Sequence, residues 1–202
     1  MPPARLAASW RMRRVGEIRA MTMRGDESHD SGSGAEVGRL VGRSALARGA
    51  LSAFYVEVAT WKEVGEFEGR LRSVLIGLVE AVRGADFDSD ELSIPSLPGW
   101  VADMWGDAAV RYSLHRGEEE WSLQDLFFAF EPGRRSWEWW DVTRVAGNVL
   151  QVWVDSGGEL VFNCEELRWI LYLCGARTIV GPLLANSSEW EAQPSVGIAA
   201  EA

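Results

Sequence analysis

The chain has 202 residues, of which 47% are apolar and 25% charged, the proportions of an ordinary globular protein rather than of a disordered, collagen-like or disulfide-scaffold one. No uncharged stretch approaches the ~18 apolar residues of a membrane span. The formal net charge is −10, divided unevenly: residues 1–48 carry 9 basic and 5 acidic side chains, residues 49–202 carry 11 basic and 25 acidic ones. A body this acidic repels a polyphosphate, so nucleic-acid binding by it is not expected, and a basic protein is the partner its field attracts.

Residues 1–24 hold six arginines against Glu17 and have no apolar core segment, so they do not read as a secretory signal. Met21 and Met23 offer later starts. Residues 26–34 are a solvated linker by composition, and a short helix is expected over 36–48. This divides the chain into a basic, disordered extension at 1–48, which a misassigned start would also explain, one domain at 49–184, and a flexible tail at 185–202. Lys62 is the only lysine against nineteen arginines, the codon signature of a GC-rich, bacterial genome. It follows Trp61, so no Gly-Lys-Ser/Thr phosphate loop exists.

Within the body, residues 54–59 (FYVEVA) read as a strand. Thr60 with Glu63 is a capping box, opening a helix whose stripe is Val64, Phe67, Leu71, Val74, Leu75, Leu78, Val79 and Val82, with Gly84 as its stop. Residues 85–99 are a loop and 100–105 a helical turn. Val110, Tyr112 and Leu114 alternate with Arg111, Ser113 and His115 and predict a half-buried strand. Ser122 with Asp125 starts a second helix that Pro132-Gly133 stops. Residues 137–145, 149–155 and 159–163 read as an antiparallel meander turned by Gly147-Asn148 and Ser156-Gly157-Gly158. Asn163 with Glu166 caps a helix over 164–174 that ends at Gly175, and residues 178–180 form a last strand before Gly181-Pro182. The expected fold is α+β: a two-layer sandwich with a mostly antiparallel sheet of five or six strands and helices packed on one face.

Several chemistries are absent or weak. His29 lies in the linker, so His115 is the only histidine of the body, and no C-x-x-C or H-E-x-x-H spacing supports zinc. Cys164 and Cys174 flank one helix about 15 Å apart, beyond disulfide reach, and are expected to be reduced thiols in a cytoplasm. Cys174 reads as a small core residue; Cys164 sits at a helix start, which favours a thiolate, beside Glu165 and Glu166, which oppose it. No G-x-S-x-G elbow or dinucleotide fingerprint is present. The alternating Asp86, Asp88 and Asp90 lack the glycine and distal glutamate of a calcium loop. No cofactor and no metal is expected.

The feature that stands out is tryptophan: 11 in all, three of them in Trp137-Glu138-Trp139-Trp140-Asp141. On a regular strand Trp137, Trp139, Asp141 and Thr143 share one face, and Glu138, Trp140, Val142 and Arg144 the other. One face packs on the helices. The other is either covered, with its indole N–H groups bonded to carboxylates or carbonyls, or open as an aromatic patch edged by Arg134, Arg135, Glu138 and Asp141 and extended by Trp153. Trp169 on the following helix lies near the same meander in sequence.

The first functional expectation is a non-catalytic protein-interaction module that binds a basic protein through this aromatic-acidic strand, as an immunity protein or a regulator does. The second is a small hydrolase using paired carboxylates, Asp141 with Glu166 or Glu138. The third is a domain that binds a sugar or another small molecule in an aromatic pocket.

Overall fold

The computed structural model describes residues 29–43, 49–87, 97–116 and 121–198. The chain divides into two units, Met1–Gly32 and Ser33–Ala202. The first lies outside the described residues except for the start of one helix. The expectations for the Arg-rich start, and for Asp88 and Asp90, also fall outside them.

Strand β1 (Ala50–Glu57) is an inner strand of the sheet, with residues 51–54 and Val56 buried. β2 (Glu138–Ala146) and β3 (Val149–Asp155) form a hairpin around Gly147, whose φ of 55° suits a turn that a residue with a side chain adopts reluctantly. β4 (Thr178–Asn186) closes the set. The order is β2-β3-β1-β4 and every neighbour is antiparallel.

The sheet therefore has four strands rather than the five or six expected, for two reasons. Residues 110–114 belong to a helix, and residues 159–163 form a loop. Both edges of β3 are already taken, by β2 and by β1, so a third meander strand has no neighbour to pair with. The last strand runs longer than expected: β4 continues past Gly181-Pro182, and its register with β1 shifts between Ala53 and Tyr55.

The helices are α1 (His29–Val41), α2 (Val64–Val82), α3 (Trp100–Arg116), α4 (Leu123–Ala129), α5 (Glu165–Leu173) and α6 (Ser187–Glu191). A 3-10 turn over Trp61–Glu63 precedes α2, and Thr60 Oγ1 lies 3.3 Å from Glu63 Oε1, so Thr60 touches the carboxylate instead of capping a backbone N–H. The box at Ser122 and Asp125 forms as expected. Asn163 does not cap α5; Cys164 stands at that position and makes no side-chain cap. A working box sits instead at Asn186 and Glu189, at the head of α6. Residues 187–198, expected to fray, thus include a helix that buries Trp190.

The alternation at 110–114 misled because α3 buries a stripe of helical spacing, Val101, Ala108 and Tyr112, while Val110 and Leu114 face water. The main core joins one side of the sheet (Phe54, Val56, Leu150, Val152, Val154) to Leu71, Leu75 and Leu78 of α2, Phe127 of α4 and Ile170 of α5. Each such side chain contributes about 1.5–3 kcal/mol by leaving water. Leu51, Ala53 and Trp153 alternate with these on β1 and β3, so they point to the opposite side, where they pack with Trp140 and Trp190.

Candidate functional site

β2 does not keep the simple alternation expected for the tryptophan strand. Trp139 pairs with Val154 and Asp141 with Trp153, so Trp140 is an extra residue, a β-bulge. The bulge resets the faces. Trp139 and Val142, three apart, both enter the main core, whereas Trp140 enters the smaller cluster on the other side. The insertion of one residue thus sets Asp141 on the side of Trp140 and Trp190 and returns Val142 to the side of Trp139.

The expected patch residues are accordingly placed as follows. Trp137, Trp139, Trp140, Asp141 and Trp153 are all buried. These rings pack in the interior and do not line a surface patch, because both faces of the strand are covered. Glu138 is half-exposed and pairs with Arg39 of α1 at 2.7 Å. Arg134 is exposed and pairs with Glu131. Arg135 pairs with the buried carboxylate of Glu36 and lies over the rings of Phe130 and Trp137, each at 4.9 Å. Arg39 lies 4.9 Å over Trp140, whose other neighbour is the edge of Trp190 at 5.8 Å.

Asp141 is the hub of a buried polar network. Oδ1 accepts from Arg72 Nη2 at 3.2 Å and from Val142 N at 2.7 Å. Oδ2 accepts from Trp190 Nε1 at 2.8 Å and from Ser195 Oγ. Arg72 also pairs with Glu68 and donates to the carbonyls of Arg39 and Leu40 at 3.1 and 2.9 Å. All four bonds to the Asp141 carboxylate come from the protein, so its lone pairs are engaged and none is directed at a substrate. On the same side Trp153 donates to Thr143 Oγ1 at 2.7 Å, and Thr143 bonds Gln193 at 2.6 Å.

Glu166 is separate from this network. It is buried on α5, and its Oε1 accepts from Trp137 Nε1 at 2.6 Å, while Oε2 has no partner among the described residues. Burial pushes its carboxyl above the ordinary range, against the pull of the Trp137 N–H and of the Arg135 charge. Asp141, Glu138 and Glu166 are thus each committed to a different partner: Arg72, Arg39 and Trp137.

Burial also pushes the Cys164 thiol up, against the nearby Arg168, so the helix start does not make a ready thiolate. Cys174 is buried and raised further by desolvation. Both cysteines are free thiols. Among the described residues no group of three or more His, Cys, Asp or Glu side chains is placed to hold a metal ion, and no helix is long and apolar enough to cross a membrane.

α3 presents the surface that the sequence reading missed. Its inner side is fixed to α5: Tyr112 bonds Glu165 at 3.1 Å, Trp105 and Tyr112 each meet Trp169 edge-on at 5.2 Å, and His115 Nδ1 lies 2.7 Å from Tyr172 OH. Its outer side carries Asp103, Asp107, Val110 and Leu114, spaced four, three and four apart, hence one stripe. Val110 is 60% exposed and Leu114 76%. Neither aspartate has an ion pair among the described residues. The helical spacing was present in the sequence, but the alternation around Tyr112 masked it.

Comparison with protein-family models, with curated proteins and with solved structures finds no match to this chain. The fold and the arrangement of its surface therefore carry the functional argument.

Proposed function

We propose that this chain is a non-catalytic protein-interaction domain, of the kind an immunity protein or a regulator represents, and that it binds a basic partner through the outer face of α3. The observation that supports this most directly is the mixed stripe Asp103-Asp107-Val110-Leu114. It sets two carboxylates that have no ion pair among the described residues beside two exposed aliphatic side chains on a helix anchored from behind by aromatic packing. A rigid stripe of that composition suits a partner segment with basic and apolar residues in series. Charge steers the encounter and the aliphatic groups hold it.

The reading takes the domain to be a two-layer sandwich with its longer helices on the Phe54 side of the sheet. It also places the domain in the bacterial cytoplasm, where two unpaired thiols stay reduced. The test compares what immobilised wild-type chain and the D103K/D107K/L114E variant retain from a lysate, at low and at high salt. Strongly basic proteins retained by the wild type alone, and released by salt, are the expected result. Identical retention by both forms overturns the placement on α3.

A further inference from the structure

The outer stripe of α3 has the spacing of a seam between two helices. Asp103, Asp107, Val110 and Leu114 follow one another at steps of four, three and four, the narrow stripe along which one helix meets another. Asp103 and Leu114 are eleven residues apart, about 16 Å along the axis, or three turns. The buried residues Val101, Ala108 and Tyr112 lie on the opposite side of the helix. One flank of the seam is small and exposed: Ala102, Gly106 and Ser113. A Cβ built at Gly106 meets nothing within 4 Å, so the space beside it is open to a second backbone.

The seam also has a direction. Its two carboxylates lie in the N-terminal half of α3 and its two aliphatic side chains in the C-terminal half. Arg111, one turn beyond Asp107, is turned inward, where its Nη2 donates to Tyr172 O at 3.0 Å, so it does not neutralise the aspartate. A second copy of the chain does not match this order. Laid antiparallel about Val110 it sets Leu114 against Asp107, and laid parallel it sets aspartate against aspartate. The complement is a foreign segment with two cations and two apolar groups.

Resting on the placement of the binding face on α3, we propose that the partner docks there as an amphipathic α-helix running antiparallel to α3. Its seam carries two apolar residues, against Leu114 and Val110, and then two Arg or Lys residues, against Asp107 and Asp103. A helix repeats the steps of four, three and four. A strand spaces its same-face side chains about 6.7 Å apart, so over four contacts it drifts out of step with α3 by about 4 Å. The antiparallel order places the basic pair in the last turns of the partner helix, where its own dipole favours cations.

Two peptides of one composition, each about twenty residues long and so long enough to form a helix, test this by fluorescence anisotropy against the full chain at low salt. One carries Leu, Leu, Arg and Arg at steps of four, three and four in a background of Ala and Gln. The other carries the same four residues at every second position. The first is expected to bind about tenfold more tightly than the second, to gain helical circular dichroism on binding, and to bind D103K/D107K about tenfold more weakly than the wild type. In a glutathione buffer A102C is expected to form a disulfide with a cysteine at the C-terminus of that peptide and not with one at its N-terminus; the opposite preference overturns the antiparallel order. Equal binding of the two peptides, or binding of neither, overturns the helix, and basic proteins retained by the wild type but not by D103K/D107K/L114E then leave α3 as the face. Binding that is unchanged in both D103K/D107K and D103K/D107K/L114E overturns the helix and the face together.

Discussion

Glu166 shows how one buried side chain sets a pH dependence. Its carboxyl is held above the ordinary range by burial, so the folded chain binds that proton more tightly than the unfolded chain does. Below the unfolded value, both states are protonated and Glu166 costs no stability. As the pH rises above it, the unfolded chain ionises first and stability falls, until the folded group also ionises and the cost levels off. Glutamine keeps the oxygen that Trp137 Nε1 needs and removes the charge. E166Q is therefore expected to match the wild type in urea unfolding at about pH 4 and to exceed it at about pH 8. A gain that is the same at both pH values would mean that burial of the charge is not the cause.

Elements, unlike single groups, are joined here by a few buried polar side chains, and Arg72 is the clearest of them. From α2 it reaches Glu68 on its own helix, Asp141 on β2, the carbonyls of Arg39 and Leu40 at the end of α1, and the carbonyl of Val196 beyond α6. Removing it leaves two buried carboxylates uncompensated, so R72M is expected to lose about 3–5 kcal/mol in chemical denaturation, with secondary structure retained where the variant is folded. This clamp also explains what sequence reading saw and what it missed. The stripe of α2, the box at Ser122 and the hairpin at Gly147 are local patterns, and all three form. The bulge at Trp140 is not local: it is decided by which residues of β2 meet Trp153 and Val154, and a one-residue insertion leaves no mark in composition. Asp141 was legible as a notable carboxylate, but its partner Arg72 lies 69 residues away and its fourth donor, Ser195, in a segment that composition marks as tail. The stripe on α3 was obscured by a competing period of two over 110–114, where only Tyr112 is buried.

At the scale of the whole molecule, tryptophan is a structural material here rather than a surface one. Six of the rings, Trp137, Trp139, Trp140, Trp153, Trp169 and Trp190, are buried, and they belong to both apolar clusters, so they fix the sheet from its two faces. Trp100, Trp105 and Trp121 are partly covered. Trp61 is different: it sits in the 3-10 turn ahead of α2, 62% exposed, with Lys62 Nζ 5.8 Å from its ring as its cation neighbour. Emission from the folded chain is accordingly expected to lie to the blue, because most of its indoles are out of water, with a minor component that acrylamide reaches. W61F is expected to lower the quenchable fraction, while W139F, which removes a ring from the interior, leaves that fraction unchanged and instead lowers stability through the lost volume and the lost bond from its indole N–H to Arg39 O. Strong quenching that persists in W61F and falls in W139F would place the β2 tryptophans at the surface in solution, and with them the aromatic-acidic patch as the binding face in place of α3.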